Sequence, residues 1–288
     1  MVNQAAVSGT LIGVEGLSIS GNIQLNNNGG MVQSKQLTID SQTVHNQAGQ
    51  LTATQNLSLH ADSLDNQRGL VYANQTADLT VGTIDNQNTA DSPQTGIQAQ
   101  TVTVQGNTTL NNTSGQIIGD TIQVGTQSLN NSSGFVVGNT VNLNATQLNN
   151  QNGTVLADQL NLTSSNYTHQ GTISVNDAAT LNLTGDFTNQ GTLEALGDLS
   201  LHTDGNITNA TGSTLSADHT LALAGQNITN QSAANIHATH TQLTAQDSIV
   251  NDGTIDGGLT ELRAGNQIIN NSKIYGGDFN GNGGILIG

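Results

Sequence analysis

An apolar residue recurs at nearly constant spacing along this chain: Leu25, Val44, Leu64, Ile84, Leu110, Leu129, Leu148, Tyr167, Phe187, Ile207, Ile228, Ile249 and Ile268. The steps between them are 19 to 21 residues, apart from the 26 residues from Ile84 to Leu110. Two places after each stands an asparagine: Asn27, Asn46, Asn66, Asn86, Asn112, Asn131, Asn150, Asn189, Asn209, Asn230, Asn251 and Asn270. Only Tyr167 departs, with His169 in that place. Further along each unit comes an alternating apolar pair, as in Leu57/Leu59, Val141/Leu143, Leu160/Leu162, Leu181/Leu183, Leu199/Leu201 and Leu221/Leu223, and Leu17/Ile19 fits the same register. A period of two predicts strands. Between the pairs lie Gly and Asn, which tolerate positive φ and predict turns. No stretch has the Ala, Leu, Glu and Lys richness of a helix.

Self-similarity at this period predicts a solenoid. A leucine-rich repeat has a similar length, but here the Asn follows a second apolar opener rather than the L-x-L pair, and a convex helical segment is missing. The pattern therefore predicts an all-β fold, a right-handed parallel β-helix of about 14 coils of 19–21 residues, continuous over residues 1–288 with a loop insertion near 88–96. Each coil makes three short strands that pair with their equivalents one coil on, at about 4.8 Å. The Asn column is expected at a corner, in a left-handed or tight-turn conformation, with its amides bonded to the asparagines above and below.

Composition agrees with a narrow core. Apolar residues make up 34% of the 288, charged residues 8% and aromatics 2%. A rod one coil wide needs few inward side chains. The 20 acidic and 4 basic residues give a net charge of −16. Lys35, Arg68, Arg263 and Lys273 are scattered, so a basic patch for nucleic acid or an anionic membrane is excluded. No apolar run reaches the roughly 18 residues of a membrane span, so membrane insertion is not expected. Without Cys there is no disulfide frame or thiolate metal site.

The units VHNQAGQLTATQNLSLHADS, LDNQRGLVYANQTADLTVGT and LNNQNGTVLADQLNLTSSN resemble the haemagglutinin repeats of filamentous haemagglutinin and related exoproteins of Gram-negative bacteria. That family includes adhesins and exoproteins of contact-dependent growth inhibition. The resemblance implies a β-helical shaft, secreted by the two-partner route and displayed at the cell surface. It implies an outer-membrane two-partner-secretion transporter as a partner, and a host or neighbouring-bacterium receptor or glycan as the target of the whole molecule. The Met1 start and the GNGGILIG end suggest an excerpt of a longer chain. Absence of Cys and a local topology that folds coil by coil both suit passage across an envelope.

Four features could carry chemistry. The insertion holds the only proline, and Asn88, Thr89, Asp91, Ser92, Pro93 and Gln94 are the candidate contact residues, because binding favours loops on rigid scaffolds. His237 and His240, with His219 one coil before, could offer imidazoles to zinc or nickel, with His202 or Asp218 as a third ligand. Exposed turn residues are the simpler reading. Asp120, Asp158, Asp177, Asp198 and Asp218 recur near the coil period, but the glycine-rich calcium nonapeptide is missing. No metal and no cofactor is therefore expected. An enzyme is not expected either: Arg68 and Arg263 are far apart in the repeat, and Glu15, Glu194 and Glu261 are isolated, so neither a lyase nor a carboxylate pair is evident. Thr101 and Thr103 form one Thr-x-Thr pair that does not recur as a flat ice-binding array would.

Overall fold

The inward positions named above become columns, one residue per coil. The computed structural model describes residues 9–106, 109–276, 278–281 and 285–287. Met1 and Gly288, the two chain ends singled out above, lie outside them. Among the described residues there is no helix, and the chain forms a β-solenoid of about 13 turns. It divides into two compact units, Met1–Leu148 and Asn149–Gly288, each built of parallel strand pairs.

In the first unit the openers stack in direct register, Leu25 on Val44, then Leu64, Ile84, Leu110 and Leu129. The alternating pairs stack likewise: Leu17/Ile19, Leu37/Ile39, Leu57/Leu59, Ala77/Leu79, Val102/Val104 and Ile122/Val124. A third inward column runs Val32, Leu51, Val71, Ile97 and Ile117. Three columns close a narrow core in which nearly every member is buried. Each fully buried Leu, Ile or Val contributes about 1.5–3 kcal/mol. The expected three short strands per coil are partly fused: Met31–His45 and Gln50–Asp65 each pair almost without interruption. The register shift between Ser34 and Gln36 lets the chain turn a corner and keep its ladder.

The second unit repeats the plan with shorter strands. Its openers form a separate seven-stranded sheet, Tyr167, Phe187, Ile207, Ile228, Ile249, Ile268 and then Ile285. The third column is Val155, Ile173, Leu193, Leu215, Ile236, Ile255 and Ile274. One expected pair is corrected: Leu160/Leu162 stack on Ala179/Leu181, and Leu183 lies over Ser164. The offset between the two coils is 18 residues up to Ala157 and 19 from Gln159 on, short of the 21 that would set Leu160 against Leu181.

Candidate functional site

The corner asparagines are buried and joined side chain to side chain. Asn27 Nδ2 donates to Asn46 Oδ1 at 2.7 Å, and the same bond at the same length links Asn46 to Asn66, Asn66 to Asn86, Asn86 to Asn112 and Asn112 to Asn131. In the second unit Asn189, Asn209, Asn230, Asn251 and Asn270 are linked at 2.8–2.9 Å. The other Nδ2 hydrogen goes to a backbone carbonyl beyond the next turn, as from Asn46 to Leu70 O and from Asn230 to Thr254 O, both at 3.0 Å. Burying an amide costs free energy unless it is paired, and here both hydrogens and the oxygen are used. Outside this column runs a companion, half-buried apart from the exposed Gln47, in which Gln47 donates to Asp65 and Gln67 to Asp85.

Of the two conformations expected for these asparagines, left-handed or tight-turn, they take the second: each opens a tight turn without being its left-handed residue. The left-handed residue stands two places after the asparagine at Ala48, Arg68, Asn88, Ser114, Ser133 and Asn152, and three places after Asn230 at Ala233, with φ between 49° and 59°. The asparagines themselves keep ordinary φ, because their task is to aim the amide along the stack. A glycine then closes the turn, as where Gly69 N donates to Asn66 O at 2.9 Å. A Cβ at Gly49, Gly69, Gly115 or Gly134 would strike the carbonyl oxygen of the preceding rung: Asn27, Asn46, Asn86 or Asn112. The Asn-x-x-Gly spacing was the sequence signal for this glycine, and the reading of openers and asparagines passed over it.

At His169 the ladder changes chemistry. His169 Nε2 contacts the carbonyl of Thr192 at 2.9 Å, and its Nδ1 lies 3.0 Å from the hydroxyl of the buried Tyr167. A carbonyl can only accept, so Nε2 carries the proton and Nδ1 accepts from the tyrosine. Asn150 hydrogen-bonds the same hydroxyl. Burial holds the Tyr167 phenol far above its ordinary value, the Asn150 bond offsetting part of the rise. Burial likewise lowers the His169 value, and the bond to Thr192 partly opposes it. Tyr167 packs on His169 and on Phe187, with ring centroids 5.8 and 5.9 Å apart.

The insertion is tied down from below. Gln116 Nε2 donates to Ser92 O at 2.6 Å and to Thr95 O at 2.8 Å, and Gln98 Nε2 donates to Pro93 O at 2.9 Å and Thr95 O at 2.6 Å. Asn88, Asp91, Pro93 and Gln94 are exposed and Ser92 is half-buried. Thr89 is corrected: it is fully buried, because it occupies the place of the turn glycine. Its hydroxyl donates to Asn86 O at 3.1 Å and accepts from Gln116 N at 3.0 Å. On the sheet beneath, Gln98 stands between Tyr72 and Ile118, both partly exposed.

The histidines go elsewhere. His240 stacks between Thr220 and Leu259, so His219 is out of its column, and His237 stacks between Ser216 and Asp256. His237 pairs with Asp256 at 3.4 Å, His240 with Glu261 at 3.7 Å and His202 with Asp204 at 4.0 Å. Asp218 is exposed. No group of three or more His, Cys, Asp or Glu that could hold a metal exists among the described residues. The recurring aspartates bond neighbouring amides, Asp158 with Asn176, Asp177 with Gln159 and Asp198 with the Thr220 backbone. Among the described residues no helix is long and apolar enough to cross a membrane.

Residues 155–211 and 197–286, both within the second unit, match the family model of the haemagglutinin repeat. No curated protein and no solved structure matches the chain. The match and the parallel strand stacking together describe the second unit as a β-solenoid similar to haemagglutinin repeats.

Proposed function

We propose that the chain is a rigid shaft segment of a secreted, cell-surface filamentous exoprotein, presenting a distal adhesive or toxin-delivery region. The carrying observation is the buried asparagine ladder: from Asn27 to Asn131 and from Asn189 to Asn270 each rung's amide is bonded to the next, so those coils cannot slide or part without breaking buried bonds. That is the property a spacer needs, and it involves no catalytic group. On this reading an outer-membrane two-partner-secretion transporter exports the chain, and the similarity to haemagglutinin repeats supports display at a bacterial surface.

A second reading is favoured by one observation. The insertion is held at Ser92, Pro93 and Thr95 by Gln98 and Gln116, and a pre-ordered loop loses less entropy on binding than a floppy one. It makes the segment a lateral adhesin for a cell-surface receptor or glycan. Binding of the purified chain to epithelial cells and to neighbouring bacteria separates the two. A folded chain that binds neither cell type supports the shaft. Binding that disappears when the loop is shortened contradicts a shaft-only role and supports the adhesin.

A further inference from the structure

In the second unit the ladder has one rung of a different kind. Every asparagine rung around it offers a side-chain oxygen and an NH2 group, neither of which titrates. At Tyr167–His169 the equivalent path runs from Asn150 to the tyrosine hydroxyl, from that hydroxyl to His169 Nδ1, and from Nε2 to Thr192 O. The path does not pass on to the next asparagine: Asn189 Oδ1 accepts only the Gly191 backbone N–H, at 3.2 Å. So the chain of side-chain amides stops here, and the one group able to take up a proton near neutral pH sits in the gap with no exposed surface.

Protonation of that group conflicts with its surroundings. A proton arriving from solvent must land on Nδ1, since Nε2 already carries one. The new N–H then faces the Tyr167 hydroxyl, which must turn its own proton away while still receiving the Asn150 amide. That proton would point into the apolar wall that Phe187 helps to form. Among the described residues no carboxylate stands by to balance the imidazolium. Asp186 meets Tyr167 only through its backbone carbonyl, its carboxylate being bonded to Asn206. Glu194, on the strand Thr192–Ala195, lies between the inward Leu193 and Ala195 and so points out of the core. Asp158, in the preceding coil, is bonded to Asn176. Tyr167 is the remaining titratable neighbour and is held neutral.

We propose that the Tyr167–His169 rung is an acid-sensitive joint, at which proton uptake by His169 opens the solenoid locally while the asparagine-linked coils on its C-terminal side stay closed. The sign follows from the folded state disfavouring the charged ring. Because the folded His169 value lies below the ordinary 6.5, the unfolded or opened state binds more protons in that window. The stabilisation is complete above 6.5 and is lost as pH falls below it. A shaft displayed outside a cell would then gain a hinge on entering an acidic compartment. The joint itself is a property of this rung and holds whether the chain is shaft or adhesin.

Hydrogen–deuterium exchange of the full chain at pH 7.5 and 5.0, corrected for intrinsic rates, tests it. Backbone amides of residues 165–195 are expected to lose protection roughly tenfold relative to residues 205–255, one pH unit of linkage being a tenfold factor. In His169→Asn, which places the ladder residue in the gap, that difference is expected to vanish. Equal protection of both segments at pH 5.0 in the natural chain, or an equal loss in His169→Asn, would overturn the proposal. If the variant does not fold at pH 7.5, the His169 ring resonance of the natural chain decides. A ring that charges only together with opening supports the joint, and one that titrates near 6.5 in the closed state overturns it.

Discussion

The side-chain amides of Asn86 and Asn112 meet at 2.7 Å although 26 residues separate them, the same distance found for Asn66 and Asn86, which are 20 apart. The insertion leaves the ladder undisturbed because it is expelled between Asn88 and Gly96 while Ile84 and Leu110 keep direct register. Removing residues 89–95 would join Asn88 to Gly96, restoring both an Asn-x-x-Gly turn and a 19-residue step. Loop length costs little, about 0.6 kcal/mol per doubling. Thermal melting followed by circular dichroism is therefore expected to shift by only a few degrees. Loss of the folded signal would show that the loop supports the coil.

Asn66→Ala leaves Asn46 Nδ2 without its side-chain acceptor and Asn86 Oδ1 without its donor. Each buried group left unpaired costs about 1–3 kcal/mol. Chemical denaturation should show a loss of that order, far above the change at an exposed position. Asn66→Asp is expected to be worse at pH 7, with a buried carboxylate facing the Asn86 oxygen. It should recover as the pH is lowered, because the buried acid has its folded pKa raised and is stabilised by protonation. A pH-independent loss in the aspartate variant would contradict the assignment of the rung as buried.

Gly69 and Gly16 make a paired test of the turn. A methyl group at Gly69 would collide with the Asn46 carbonyl, whereas one at Gly16 meets nothing within 4 Å. Gly69→Ala is expected to destabilise by about 1–3 kcal/mol, as overpacking does. Gly16→Ala should be neutral, or stabilising by up to about 1 kcal/mol through the unfolded chain. Equal melting temperatures for the two variants would contradict the contact.

The exposed Lys35–Glu15 pair, at 2.8 Å, serves as a control for surface charge. Pairs of this kind contribute about 0–1 kcal/mol. Glu15→Gln should leave the denaturation midpoint nearly unchanged at any salt concentration.

The repeat made much of this legible. Openers from Leu25 to Leu129 and from Tyr167 to Ile268 fall into register because an apolar residue at a fixed step has one place to go in a stacked coil. What the spacing could not give was local backbone geometry. Leu181 and Leu183 look like a facing pair, yet the 19-residue offset at this coil sets Leu160 against Ala179 and Leu162 against Leu181. Asparagine both tolerates positive φ and opens tight turns, so its recurrence alone does not say which residue of the corner is left-handed. The structure gives that position to residues as different as Ala48 and Arg68, since a turn closed by glycine imposes it on whatever stands there. Thr89 reads as loop by its neighbours and is buried by its place in the turn. Tyr167 reads as one more opener, and nothing in its spacing shows that its hydroxyl takes over the ladder from Asn150.

Single-molecule pulling of the intact chain, beside a variant carrying Asn66→Ala and Asn209→Ala, measures the stiffness on which the shaft role depends. The natural chain should resist and then lengthen in steps of about 70 Å, one coil of 19–21 residues at about 3.6 Å each, and the variant should yield at lower force. Extension of the natural chain at negligible force, or the same force for both, would contradict a shaft locked by its buried asparagines.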